Sequence, residues 1–358
     1  MVDTATAIRL LQTLISTPSF SREEGETARI IFDFLQEQNV LPKRHLNNVY
    51  ARCKGYDAQK PTLLLCSHHD TVRPAAGYTH DPFAPTVADG KLYGLGSNDA
   101  GASVAALAAV FCNFYQAPLP FNLALAIVAE EEVQGPNGVE ALKPLLGDIC
   151  CAIVGEPTQM QAAVGERGLM VLDCTAHGKQ GHAARAEGDN ALYRAVDAIE
   201  WFRTFRFPKI SERMGEVKMT VTMISGGTQH NVIPAECKFV VDVRPTDAYD
   251  NQEIVDIIRR SVPCDVQPRS TRIRASGIAD SHPLVQAALK LGRQTYVSPT
   301  TSDIALLRLP SLKMGPGDSA RSHSADEFVY LSEVEEAIDL YGKMLENVEL
   351  MINGAKRV

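Results

Sequence analysis

The chain has 358 residues, 45% hydrophobic and 22% charged, with a net charge of -8. At roughly 100–200 residues per domain that length suggests about two domains, and a negative balance without a basic run excludes a non-specific nucleic-acid binder, which needs a basic face. No apolar run approaches the ~20 residues that span a bilayer, and the eight cysteines form no CxxC, so they are expected as buried free thiols in a reducing cytoplasm.

The N-terminal "MVDTATAIRLLQTLISTPSF" reads as an amphipathic helix and not as a signal peptide. In "SREEGETARIIFDFLQEQN", Ser21 is the expected N-cap, acidic residues fill the first turn, and Ala28, Ile31, Phe32 and Leu35 follow at helical spacing. "TLLLC" (62–66) and "NLALAIVA" (122–129) are apolar enough for strands covered on both faces. Between them "AGASVAALAAVFCNFY" (100–115) predicts a long helix, and "CAIVGEP" (151–157) a further strand and turn. Alternating strand and helix implies an α/β sheet with helices on both faces.

Near residue 166 the texture changes. A strand-like "RGLMVLDCTAHG", a helix-like "NALYRAVDAIEWFRTF", two alternating strands (217–227 and 236–245) and a helix at 251–262 follow in order. That β-α-β-β-α order predicts an α+β insert over 166–277, interrupting a catalytic domain built from 1–165 and 278–358.

The titratable residues fall at the ends of these elements. In an open α/β sheet, ligands bind beyond the carboxyl ends of the strands. His68, Glu131, Glu132 and Glu156 each follow a predicted strand, Asp99 follows the Gly-rich turn "YGLGSND", and His323 lies in the loop "GPGDSARSHSADE". A single histidine at a strand end is ordinarily a hydrogen-bonded core residue, an acidic triplet a solvated turn, and an aspartate before a helix an N-cap. Five such groups at element termini are a set, and acidic groups gathered at one edge repel unless a cation is present. Histidines and carboxylates without cysteine suit zinc or a harder divalent ion. His68, Asp99, Glu132, Glu156 and His323 carry about three negative charges, and a bridging hydroxide would add one, which balances two divalent ions.

The ordered strings "SHHDTV", "DPFAPTVADGKLYGLGSND", "EEEVQG", "VGEPT", "GKQGHAA", "HNVIPAE" and "GPGDSARSHSADE" resemble those of the co-catalytic zinc amidohydrolases and peptidases. That family includes acetylornithine deacetylase, succinyl-diaminopimelate desuccinylase and the glutamate carboxypeptidases, and the closest resemblance is to the acetylornithine deacetylase branch. The resemblance implies a mixed-sheet zinc-hydrolase fold whose insert is a lid and dimerisation domain. It implies two divalent metal ions, zinc with cobalt or manganese as substitutes: His68 and Glu156 on one, Glu132 and His323 on the other, Asp99 between them. Asp70 would orient the His68 ring, and Glu131 would be the general base. His182 would reach the active site of the other subunit of a homodimer, and Asn231 and Arg244 would bind substrate. It also implies a cis peptide bond at Asp99–Ala100.

Two departures stand out. "AGAS" replaces the family's Met-Lys-Gly-Gly after the bridging aspartate. The triplet Glu130-Glu131-Glu132 permits Glu130/Glu131 or Glu131/Glu132 as base and ligand; Val133 favours the second register, and the additional Gln134 weakens it. The implied activity is hydrolysis of the amide of an N-acetyl or N-succinyl amino acid such as ornithine or citrulline, in arginine-type biosynthesis in the cytoplasm. Succinyl-diaminopimelate desuccinylase is the alternative, then a dipeptidase or carboxypeptidase. A metal-dependent binding protein without catalysis is disfavoured by the presence of Glu131 beside a full ligand set. In "SHHDTV", side chains two apart share a strand face, so His68 pairs with Asp70 and His69 points away.

Overall fold

The structure is a computed structural model and describes residues 1–185 and 187–348. The first part of the chain forms α1 (Thr4–Ile15), α2 (Gly25–Glu37), β1 (Lys43–His45), β2 (Asn48–Arg52), β3 (Thr62–His68), β4 (Thr86–Ala88) and β5 (Lys91–Tyr93). It continues with α3 (Ala102–Phe114), β6 (Asn122–Val128), α4 (Val139–Leu146), β7 (Cys151–Val154) and β8 (Ala162–Glu166). The middle part forms β9 (Met170–His177), β10 (Gly181–His182), α5 (Ala191–Thr204), β11 (Lys218–Gly226), β12 (Val232–Ile233), β13 (Glu236–Arg244), α6 (Asn251–Ser261) and β14 (Asp265–Pro268). The last part forms β15 (Ser276–Gly277), α7 (Pro283–Lys290), β16 (Thr295–Ser298), α8 (Ile304–Leu307), β17 (Ser311–Lys313), β18 (Phe328–Tyr330) and α9 (Leu331–Asn347).

These elements make two compact units. Among the described residues, one comprises Met1–Val164, Gly277–Tyr296 and 302–348; the other comprises Gly165–Ser276 and Val297–Thr301. The short Val297–Thr301 segment thus joins the unit made by the insert, although it lies far along the chain from it.

The first unit is built on a sheet of order β1-β2-β6-β3-β7-β17-β8-β15, with β16 beside β8. Its centre, β6-β3-β7-β17, is parallel, while β2 and β8 run antiparallel to their neighbours, so the sheet is mixed. Every residue of β3 and β6 is buried, which explains their unbroken apolar runs. Burying Leu63, Leu64 and Leu65 completely stabilises the sheet by roughly 1.5–3 kcal/mol per side chain. The small residues of α3 let it lie close against the sheet. A Cβ at Gly155 would come within 2.8 Å of Leu107 and Ser103 on that helix, so only glycine fits there. Helices α1 and α9 pack in turn on α3.

The second unit has an antiparallel sheet of order β11-β13-β9-β14. Burial alternates along β9, with Met170, Leu172, Cys174 and Ala176 inward. That face packs on Ala195, Ala198 and Phe202 of α5 and on Ile254, Val255 and Ile258 of α6.

One capping expectation is corrected. The residue at the N-cap position of α2 is Glu24, not Ser21, and it makes no side-chain cap. Arg22 takes a left-handed φ of 77°, which turns the chain before the helix starts, and the Ser21 hydroxyl donates instead to Asp70 Oδ2 at 2.7 Å. All eight cysteines are free; Cys66, Cys151, Cys174 and Cys237 are buried and Cys150 is exposed. Among the described residues no helix is long and apolar enough to cross a membrane.

Candidate metal centre

The four parallel strands deliver their following residues to one edge. At the end of β3, His68 is buried, with Nε2 3.1 Å from Asp99 Oδ1, 3.8 Å from Glu156 Oε1 and 4.0 Å from Glu131 Oε2. Glu131 and Glu132 come from the turn after β6, Glu156 follows β7, and His323 lies in the loop between β17 and β18. His323 Nε2 stands 3.0 Å from Glu132 Oε1 and 3.8 Å from Asp99 Oδ2. Asp99 enters from the turn between β5 and α3, and the Asp99–Ala100 peptide bond is cis. The donor atoms form two overlapping groups, His68 with Glu131 and Glu156, and His68 with Asp99 and Glu132, each within 4.8 Å. Asp99 lies between the two histidines.

The glutamate triplet has a definite register. Glu130 has φ 57°, and its carboxylate turns back to accept from the Asn137 side-chain amide at 2.9 Å. A Cβ at residue 135 would sit 1.8 Å from Glu130 Oε2, so Gly135 makes room for this fold-back, and Gln134 adopts φ 49° to complete the turn. Glu131 and Glu132 therefore face the histidines. Asp70 fixes them there: its carboxylate accepts from the backbone N–H of Glu131 at 3.0 Å and of Glu132 at 3.1 Å. The His68 ring Nδ1 lies 3.0 Å from the Asp70 carbonyl and 3.5 Å from its carboxylate, so the main chain supplies the shorter contact. His69 points away. Its Nε2 lies 2.9 Å from the Asn47 carbonyl and its Nδ1 2.9 Å from the Thr27 hydroxyl, and burial pushes its pKa down to about 4.

The electrostatics fit a cation. Burial, reinforced by Glu156, Asp303 and Glu132 and opposed by His68, pushes the Glu131 carboxyl well above the usual carboxylate range. Burial likewise raises Glu156 to about 8 and raises Glu132. His68, which burial alone would push down, is driven well up by its hydrogen bonds to Asp70 and Asp99 and by Glu131 and Glu156. The hydrogen bond to Glu132 lifts His323 to about 9. Buried carboxylates that repel one another, closed by two histidines without a thiol, are a donor set for hard or borderline divalent ions.

His182, Asn231 and Arg244 belong to the second unit. His182 in β10 pairs with Val232 of β12, and the Ala183 N–H donates to the Asn231 carbonyl at 3.0 Å, so His182 and Asn231 are neighbours. Arg244 ends β13, eight residues beyond Glu236, or roughly 25 Å of extended strand. Its guanidinium grips Asp242 through two hydrogen bonds, of 2.7 and 3.0 Å, so a carboxylate ligand would share or displace that partner.

Sequence reading passed over the residues behind the ligands. Glu327 is 2% exposed and Asp303 3%. Each is an acid set immediately before an apolar run, "FVY" and "IALL", which is the one signal that marked them. Burial of a carboxylate needs dedicated donors, and those of Glu327 come from a distant loop, the backbone of Gly96, Asn98 and Asp99.

Comparison with known proteins gives a consistent answer. The model of a family described as peptidase family M20/M25/M40 matches residues 64–347. Succinyl-diaminopimelate desuccinylase of Delftia acidovorans is 26% identical, over 96% of this chain and 98% of its own length. Acetylornithine deacetylase of Proteus mirabilis is also 26% identical, over 96% of each chain. Among solved structures, the aminopeptidase PepT of Bacillus cereus aligns with a TM-score of 0.78 at 17% identity, covering 97% of this chain and 99% of its own. A dinuclear metal-binding M20 peptidase of Bacillus subtilis aligns with a TM-score of 0.73 at 16% identity, covering 96% and 97%.

Proposed function

The chain belongs to peptidase family M20/M25/M40 and is a metal-dependent hydrolase, and we propose that it cleaves the amide bond of an N-acetyl or N-succinyl amino acid, such as the ornithine or citrulline derivative, in arginine-type biosynthesis. The observation that carries this is the convergence of His68, Asp99, Glu132, Glu156 and His323 at one sheet edge with a further buried carboxylate, Glu131, 4.0 Å from His68. His68 and Glu156 would hold one ion and Glu132 and His323 the other, with the Asp99 carboxylate offered to both; zinc suits this oxygen and nitrogen set. Such ions polarise the scissile carbonyl and acidify water.

The chain's own groups do the rest. Glu131 accepts a proton from the water that adds to the amide carbon and passes it to the leaving nitrogen as the C–N bond breaks. Asp70 holds Glu131 and Glu132 by their backbone amides. His182, from the second subunit of a homodimer, donates to the oxyanion, and Asn231 and Arg244 bind the substrate's carboxylate. The open edge strand β11, with Met223 64% and Ile224 54% exposed, and Tyr193 of α5, 72% exposed, support that dimer. The free cysteines support a reducing, cytoplasmic setting.

Glu131→Gln is expected to keep both metal ions and lose roughly 10²–10⁴-fold in kcat. Turnover near wild type would sink the assignment of the base. The match to the Delftia relative favours a second reading, with succinyl-diaminopimelate as substrate. A panel of N-acetyl and N-succinyl derivatives of ornithine, citrulline, lysine and diaminopimelate separates the two by kcat/KM, and light scattering tests the dimer.

A further inference from the structure

Behind the ligand edge, two buried side chains tie the loop that carries Asp99 to the loop that carries His323. Glu327 lies four residues after His323. Pairing of β18 with β5 sets Phe328 opposite Tyr93, and the Gly94 N–H donates to the Glu327 carbonyl at 3.0 Å. This register brings the Glu327 side chain under the turn that follows β5. There its carboxylate accepts three backbone N–H bonds: Gly96 at 2.9 Å on Oε2, and Asn98 at 2.8 Å and Asp99 at 2.9 Å on Oε1. The Asn98 side chain, itself fully buried, completes the link from the other side. Its Nδ2 donates to the Asp318 carbonyl at 3.1 Å and the Ser322 hydroxyl at 3.2 Å, and its Oδ1 accepts from the Asp318 N–H at 2.9 Å.

We propose that Glu327 and Asn98 form a clamp that positions the Asp99 carboxylate against His323, and so sets the affinity of the metal ion held by Asp99, Glu132 and His323. Three features support a positioning role over simple packing. A buried carboxylate is costly unless fully hydrogen-bonded, and this one spends its bonds on the backbone of a metal-ligating residue and its two near neighbours. The residues held are a ligand loop on each side, and the bonds that hold them are polar. His323 is half-exposed and comes from an irregular loop, so its side is the one that needs anchoring; His68, in contrast, is seated at the end of a buried strand. Asp99 is shared, but the clamp also holds the His323 loop through Asp318 and Ser322, so it acts more on the ion at His323 than on the one at His68.

The inference rests on reading Asp99 and His323 as ligands of a two-metal site, and the test separates the two ideas. Metal content of the wild-type protein is measured by elemental analysis, and the metal-stripped protein is titrated with cobalt(II) while its visible absorption is followed. Two ions in wild type uphold the ligand reading; none or one overturns it, whatever the variants do. Glu327→Gln keeps size and shape but turns an amide toward the N–H donors. It is expected to bind the first cobalt ion as wild type does and the second 10–100-fold more weakly, with kcat restored at saturating metal and KM unchanged. Asn98→Ala, which removes the link to Asp318 and Ser322 without adding a buried charge, should shift the same step in the same direction. Unchanged affinity for both ions in a folded variant would overturn the clamp, as would equal weakening of both.

Discussion

At the scale of single residues, the neighbours His68 and His69 show how position outranks residue type. Strand alternation separates them in sequence, and the surroundings give each a different state: His68 meets three carboxylates, while His69 is an uncharged bracket between Thr27 and Asn47. His68→Ala is expected to lose metal and activity together. His69→Ala should keep its metal content and lose about 1–3 kcal/mol of stability, the usual cost of leaving buried partners unsatisfied; metal analysis beside denaturant unfolding distinguishes the two. The glutamate triplet is the opposite case. In "EEEVQG" Val133 favours Glu131 and Glu132 while Gln134 weakens that choice, and the backbone angles carry the decision: Glu130 folds over Gly135 onto Asn137. Glu130→Gln, which can still hydrogen-bond there, is expected to keep kcat and metal content near wild type, in contrast to Glu131→Gln. A large loss of turnover with Glu130→Gln would reverse the register.

At the scale of elements, the long apolar strands and the alternating strand β13 were legible because burial on two faces and on one face leave different periodicities. Asn190 and Asp250 cap α5 and α6 with their side chains, the pattern that marks helix starts in sequence. Caps fail as signals where a residue is claimed by something more distant, as Ser21 is by Asp70. Helix α7 carries a less common cap: the His282 Nδ1 accepts from the Leu284 N–H at 3.2 Å, which requires an unprotonated ring nitrogen. Burial lowers the His282 pKa below its ordinary 6.5. The unfolded chain therefore takes up this proton first as pH falls. The cap's contribution is present above pH 6.5 and is lost as pH drops below it. His282→Asn, an N-cap that does not titrate in this range, should flatten this part of the stability–pH profile measured by chemical denaturation. A profile identical to wild type would show that His282 contributes nothing to it.

At the scale of the whole molecule, the centre gathers residues 68, 99, 131, 132, 156 and 323 onto one edge, where repulsion among carboxylates opposes folding until cations arrive. Chelation is accordingly expected to lower thermal stability, and zinc or cobalt to restore it. Each ion held at about 100 times its Kd contributes roughly 2.7 kcal/mol; a melting temperature indifferent to chelator would count against the centre. The sequence alone determined the alternation of strand and helix, the insert with its own β-α-β-β-α order, and the candidate ligands, since hydrophobic periodicity and the placing of polar groups at strand ends are local properties written along the chain. Tertiary structure decided what depends on groups far apart in sequence: which glutamates of the triplet Asp70 holds against the histidines, that Val297–Thr301 joins the insert's unit, and that Glu327 reaches back to hold the Asp99 loop, over separations of 228 to 231 residues. A buried carboxylate is stable only where its donors converge, and convergence is set by sheet order and loop path, which no local stretch of sequence contains.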